Sequence, residues 1–233
     1  MTLAIIGAAW AATLATGQGV DPRTATGQLA VNGGAAAWRA AGYIEFEVRI
    51  QTAIGERGPW TYHWARKDGL VRMAGPGPEG ASYDLAIELG SRTGGAWANG
   101  RQIEGQKLAA AMTWALQRFG EDTLWLTFPL EWGAPGVSVT PMSDETGPSS
   151  VTFKVTEVRS PGRSWKVMLD AASGRVAKTV LDVAGSPPLT VIWEGWQDVG
   201  GLSFASKRTL AETGEVVLVD VKQVSAAAPG GLF

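Results

Sequence analysis

"EDTLWLTFPLEW", residues 121–132, packs two tryptophans, a phenylalanine and three leucines into twelve positions and carries Pro129 among them. A proline offers no backbone N–H to a hydrogen-bonded ladder, so this stretch is not an ordinary central strand. It reads as a short edge or kinked strand lining either a core or an oily cavity. The segments on either side decide what kind of fold holds it.

Upstream, QKLAAAMTWALQRFG (106–120) sets Leu108, Met112, Ala115, Leu116 and Phe119 on one helical face, with good helix formers throughout and Gly120 as its stop. This is the one long amphipathic helix the sequence predicts. Almost everything else alternates. In YIEFEVRI (43–50), Ile44, Phe46, Val48 and Ile50 face one way, while Glu45, Glu47 and Arg49 face the other, as in a strand with one wet face. WTYHWARKDG places Trp60, Tyr62 and Trp64 together and turns at Asp68-Gly69 into LVRMAG, a hairpin. ASYDLAIELG and GGAWANGRQIEG add strands, with Asn99-Gly100 as a second hairpin signal.

Downstream, GAPGVSVTPMSDETGPSS (133–150) reads as a loop. Then VTFKVTEV, SWKVMLD, GRVAKTVLDVAG, LTVIWEGW, GLSFASKRTL and EVVLVDVKQV follow at regular spacing, separated by turns such as Ser160-Pro161-Gly162 and Gly200-Gly201. Near the start, Leu29, Val31, Ala35, Trp38 and Ala41 recur at near-helical spacing around Asn32-Gly33-Gly34, giving one or two short helices. The expected fold is mainly β with few helices (α+β): an incomplete antiparallel β-barrel, or strongly curved sheet, wrapping around a central helix.

With 233 residues and a net charge of -2, the chain fits one domain over residues 22–225. Residues 1–17, MTLAIIGAAWAATLATG, are apolar and uncharged. They are shorter than the roughly 20 residues a spanning helix needs. They read as the hydrophobic region of an export signal, without its basic leading segment. The end of the chain, AAAPGGLF (226–233), reads as a flexible tail. The absence of cysteine removes disulfides, thiolate metal sites, a catalytic cysteine and a lipid-modified cysteine. Lys and Arg are scattered among acids, which argues against a nucleic-acid partner.

No catalytic constellation emerges. His63, the one histidine, cannot make a multi-ligand metal site, and it alternates away from Trp60, Tyr62 and Trp64 toward solvent. Glu121-Asp122 and Asp144-Glu145 read as solvated surface. No nucleophile elbow or phosphate-binding glycine loop is present. The expectation is therefore a non-enzymatic protein with no metal and no cofactor.

What remains is eleven tryptophans. A sheet curved around one helix encloses more space than strand side chains fill, and aromatic side chains suit the wall of a ligand cavity. The expected lining is Phe46, Trp60, Tyr62, Trp64, Trp97, Met112, Leu116, Trp125, Phe128, Trp132 and Trp193, with some of them plain core.

Four stretches carry a resemblance: NGGAAAWRAAGYIEFEV (32–48), the helix followed by DTLWLTFPL (122–130), DAASGRVAKTVL (170–181) and WQDVGGLSFASKRTL (196–210). In type and order, over roughly residues 28–225, they resemble the LolA-like superfamily of periplasmic lipoprotein and lipid carriers and its outer-membrane lipoprotein-sorting relatives. The resemblance implies an incomplete antiparallel barrel whose mouth is covered by helices. It further implies a hydrophobic cavity for lipid or lipoprotein acyl chains, a periplasmic or otherwise exported location and no catalysis. The arginine with which carriers hold their lid would fall on Arg39 or Arg49. Two alternatives stand beside it. One is a sensor or scaffold domain that binds a membrane-associated protein partner. The other is a carbohydrate-binding or hydrolytic β-protein, which needs open tryptophans and two facing carboxylates.

Overall fold

Thirteen strands form one antiparallel sheet in the computed structural model, which describes residues 25–132, 137–141, 150–157, 163–170 and 172–233. Residues 1–17 and the pair Asp144-Glu145 lie outside the described residues. Two short helices, α1 (Ala25–Val31) and α2 (Gly34–Ala40), precede the first half of the sheet. That half comprises β1 (Tyr43–Thr52), β2 (Gly55–Ala65), β3 (Leu70–Pro76), β4 (Ser82–Glu88), β5 (Thr93–Ala98) and β6 (Arg101–Gln102). The long helix α3 (Gly105–Thr127) follows. The second half comprises β7 (Val137–Pro141), β8 (Ser150–Glu157), β9 (Arg163–Asp170), β10 (Val176–Val183), β11 (Leu189–Val199), β12 (Leu202–Leu210) and β13 (Val216–Ser225).

The spatial order is β6-β5-β4-β3-β2-β1-β13-β12-β11-β10-β9-β8-β7. Each half is a meander, and the first and last strands join them, from Tyr43 opposite Ser225 to Gln51 opposite Val216. β6 and β7 are the two edges, and α3 is the chain that runs between them. The helix contacts β4 and β5 on one side and β12 on the other. Strands sit about 4.8 Å apart, so β5 and β12 would lie roughly 29 Å apart in a flat sheet, whereas a helix is about 10–12 Å wide. One helix can touch both only because the sheet curls around it. The expected curved, unclosed sheet about a central helix is the observed one.

The opening stretch of the sequence, however, is helix and not strand. α3 runs through Gly120 to Thr127 and closes in a 3-10 turn, Phe128–Leu130, with Pro129 in its first positions. Proline's fixed φ suits the first positions of such a turn. A glycine inside a helix costs about 1 kcal/mol relative to alanine, a cost that burial of Leu126, Phe128 and Leu130 offsets. The two extra turns carry Asp122 onto the inward face with Ala115, Phe119 and Leu126. It is therefore fully buried, not solvated as its acidic neighbourhood suggested, while Glu121 remains exposed. The stretch 133–150, read as loop, contains β7, in which half-buried Val137 and Val139 alternate with exposed Ser138 and Thr140.

Three of the four stretches that carry the family resemblance meet at one junction. Gly33, between α1 and α2, has φ +107°, and a Cβ there would lie 2.1 Å from the carbonyl oxygen of Gly201. The Ser203 amide donates to the Asn32 carbonyl at 3.2 Å. Buried Gln28 donates from Nε2 to the Gly174 carbonyl at 2.6 Å, and Arg175 donates to Ser203 Oγ at 2.9 Å. These glycine-rich motifs are the seat on which the N-terminal helices rest.

Candidate functional site

The inward face of the curled sheet and the underside of α3 meet in two aromatic clusters. In the first, Phe46 stacks on Tyr62 at 4.7 Å between centroids, and Phe119 packs on Tyr62 at 5.9 Å and edge-on to Trp64 at 5.4 Å. Alternation on β1 and β2 and the 3–4 spacing on α3 bring these rings together. A polar clamp crosses the same interface. The Tyr62 hydroxyl donates to Asp122 Oδ2 at 2.5 Å, and Arg118 donates to both oxygens of that carboxylate, through Nε at 2.8 Å and through Nη2. The Arg118 guanidinium lies 4.2 Å from the Trp60 ring. Burial pushes the Asp122 carboxyl above the usual carboxylate range, against the opposing pull of Arg118 and Tyr62. Burial, reinforced by the charge of Asp122, holds the Tyr62 phenol well above its ordinary value. The long helix is thus pinned to β2 by a buried hydrogen-bonded group as well as by apolar contact.

The second cluster lies under the C-terminal end of α3. Phe128 stands 4.6 Å from Trp165, 5.7 Å from Trp193 and 5.2 Å from Trp132. Half-buried Trp125 meets Trp193 at 6.2 Å and Trp165 at 6.5 Å, and it packs against both clusters. The Trp193 indole donates to Thr179 Oγ1 at 3.0 Å. Directly across β12 from Trp193 is Arg208, only 1% exposed, with its guanidinium carbon 5.0 Å from the Trp193 ring. Among the described residues its Nε and Nη1 donate to no group. Burial drags this guanidinium down to about 9.

The structure places most of the expected lining residues in these two packed clusters. Phe46, Trp60, Tyr62 and Met112 are buried in the first cluster, with Trp64, Leu116 and Trp125 partly buried at its margin. Phe128, Trp132 and Trp193 belong to the second. Trp97 is not among them. It projects from the outer face of β5, 37% exposed, beside a groove of about 410 Å³ lined by Arg72, Tyr83, Asp84, Leu232 and Phe233. Arg39 and Arg49 are both exposed, and Arg49 pairs with Glu47 on the outside of the sheet, so neither holds α3.

The inward arginine is Arg208, which the sequence reading overlooked along with Trp165. Its signal was its phase with Leu202, Phe204 and Leu210 in β12. His63 does point away from the aromatic wall, yet it is only half exposed, with its Nδ1 2.8 Å from the Tyr43 hydroxyl. Among the described residues no cluster of His, Asp and Glu could hold a metal ion, and no helix is long and apolar enough to cross a membrane.

No family model matches the sequence, and no curated protein matches it. Solved structures similar to the chain include a LolA superfamily protein from Nitrosomonas europaea, 11% identical over 83% of this chain and 93% of that one, at a TM-score of 0.46. An outer membrane lipoprotein-sorting protein domain from Vibrio parahaemolyticus is 10% identical over 88% of this chain and 91% of that one, at 0.42. A DUF1329 family protein from Desulfovibrio piger is 12% identical over 92% and 96%, at 0.44. Among the described residues the structure has the element order, the curled and unclosed sheet and the one long helix that the LolA-like resemblance implied.

Proposed function

We propose that this protein is a non-enzymatic carrier or binding protein for lipid or lipoprotein acyl chains, acting in the periplasm or another exported compartment. The observation that carries this reading is the wall of Trp125, Phe128, Trp165 and Trp193 beneath the end of a helix that reaches from β4 and β5 across to β12. The wall is packed with its own side chains, so cargo enters as α3 and its terminal 3-10 turn move away. Each methylene transferred from water contributes about 0.8 kcal/mol, so five or six offset roughly 4–5 kcal/mol of helix displacement. Rings released from one another find the acyl chain in place of their former neighbours, which limits the net apolar area exposed. The Asp122 clamp holds α3 up to its last turn and a half, so that only the residues beyond it need move.

Two measurements test the reading. Native mass spectrometry of protein purified from its own host, followed by lipid extraction, detects co-purifying acyl cargo. Titration with a pyrene-labelled fatty acid measures uptake. A cargo-free mass together with no uptake of the labelled chain removes the proposal.

A second reading, in which the chain binds a membrane-associated protein partner, is favoured by the outer groove, where Trp97 and Phe233 are both exposed. A photo-crosslinker at position 97 that recovers one stoichiometric membrane-associated protein supports it, and a crosslinker that recovers none in the native host discards it.

A further inference from the structure

We infer that Arg208 is an anion-reading subsite in the concave face, receiving the carboxylate or phosphate of an amphiphile whose chain lies along the aromatic wall. The inference rests on the acyl-binding reading above and specifies its ligand as acidic.

Arg208 stands in β12 opposite apolar partners on both sides, Trp193 in β11 and Val217 in β13. It is 1% exposed, and among the described residues its Nε and Nη1 meet no acceptor. Buried guanidinium groups are ordinarily paired, because water withdrawn from them must be replaced by acceptors. Among the described residues no carboxylate pairs with it, and burial is what displaces its titration. A second orphan adjoins the same cluster, since the indole N–H of Trp165 is also buried without a partner. The hydroxyl of Thr179 is already taken by the Trp193 indole. The wall thus holds donors in excess of acceptors.

The chemical complement of surplus donors beside a permanent cation is a group that only accepts and carries negative charge. A carboxylate or phosphate meets both conditions and matches the planar fork of a guanidinium. Trp193 covers one side of that fork through its ring face. The anionic head then lies at β12, and its chain runs across Trp193, Phe128 and Trp125 toward the end of α3.

The test uses the full chain, wild type and Arg208→Met, titrated with hexadecanoic acid, hexadecanol, a lysophosphatidic acid of the same chain length, and inorganic phosphate. Intrinsic tryptophan fluorescence reports binding, and circular dichroism checks that the variant is folded. A charge-assisted pair predicts that the wild type binds an acidic chain about 10- to 100-fold more tightly than the alcohol. In Arg208→Met, all three chains should bind with the affinity of the alcohol. The preferred acid, carboxylic or phosphoric, identifies the head group, and inorganic phosphate at millimolar concentration should not compete. Equal affinity for acid and alcohol in the wild type overturns the role of Arg208 and leaves acyl binding intact. Retained discrimination in Arg208→Met does the same. Competition by inorganic phosphate as strong as that of a chain-bearing acid overturns the amphiphile. Failure of every chain to bind the wild type removes the acyl-binding reading, and this inference with it.

Discussion

Replacing Arg208 by methionine should stabilise the unliganded protein. Burial alone brings the guanidinium from its ordinary value down to about 9. At about 1.4 kcal/mol for each pH unit, this is a penalty on the order of 4–5 kcal/mol. Contact with the Trp193 ring returns about 1–2 kcal/mol of it, and local relaxation returns more. Methionine of similar length removes the charge and keeps most of the packing, so a net gain of about 1–3 kcal/mol is expected. For a chain of this size that is a rise in Tm of about 3–10 °C. The pH dependence has a definite sign. A base whose folded-state value is lowered binds fewer protons folded than unfolded between about 9 and its ordinary value, so wild-type stability increases as pH rises through that window. The advantage of Arg208→Met should therefore be complete at neutral pH and shrink above about pH 9. Urea unfolding followed by far-UV circular dichroism measures both, free of any change in indole emission. A methionine variant less stable than the wild type by more than about 1 kcal/mol would refute the reasoning, as would an advantage that does not change with pH.

Three further outcomes follow from the same geometry. Because burial raises the Asp122 carboxyl, the folded state binds a proton more readily than the unfolded one, and α3 should seat more firmly as pH falls through the region just above the ordinary carboxylate range. Hydrogen exchange of α3 amides, corrected for intrinsic rates, should show this in the wild type and lose it in Asp122→Asn; parallel profiles in the two would contradict it. Gly33→Ala should cost about 2–4 kcal/mol, since the backbone is left-handed and the new Cβ meets Gly201, whereas Gly34→Ala, at φ +90° with open space around it, should cost about 1–2 kcal/mol. Equal losses on chemical denaturation would show that the two glycine turns do not interlock. Trp193→Ala should weaken fatty-acid uptake at least about 10-fold, while Trp97→Ala, on the other side of the sheet, should leave it within about 2-fold; the reverse ranking would move the cargo to the outer groove.

The strands were legible because their two faces differ: Ile44, Phe46 and Val48 against Glu45, Glu47 and Arg49 leave little choice of orientation. Trp97 lay beyond such reading because Ala96 and Ala98 flank it, and small residues give no contrast between faces. The long helix was found but cut short, since Gly120 and Pro129 are both recognised stop signals and only tertiary burial overrides the first. Asp122 looked solvated because its partner Tyr62 is 60 positions away, a separation that no local pattern spans. Arg208 adjoins Lys207, and two adjacent basic residues read as surface. Register decides which of them turns inward, and in a strand one residue separates burial from exposure.

The pairing of β1 with β13 bears on how the molecule is made. These are the first and last strands of the sheet, so during synthesis the earlier meander waits with the edge of β1 open, its Ile44, Phe46 and Val48 awaiting a neighbour some 170 positions downstream on the register of Val216 to Ser225. Each half can assemble by local hairpins as it emerges, but the two half-sheets are not paired strand to strand until the final strand arrives and zips them together. A nascent chain stalled before residue 216 would thus present two half-sheets with open edges, held to one another only by α3 and by the seat of the N-terminal helices.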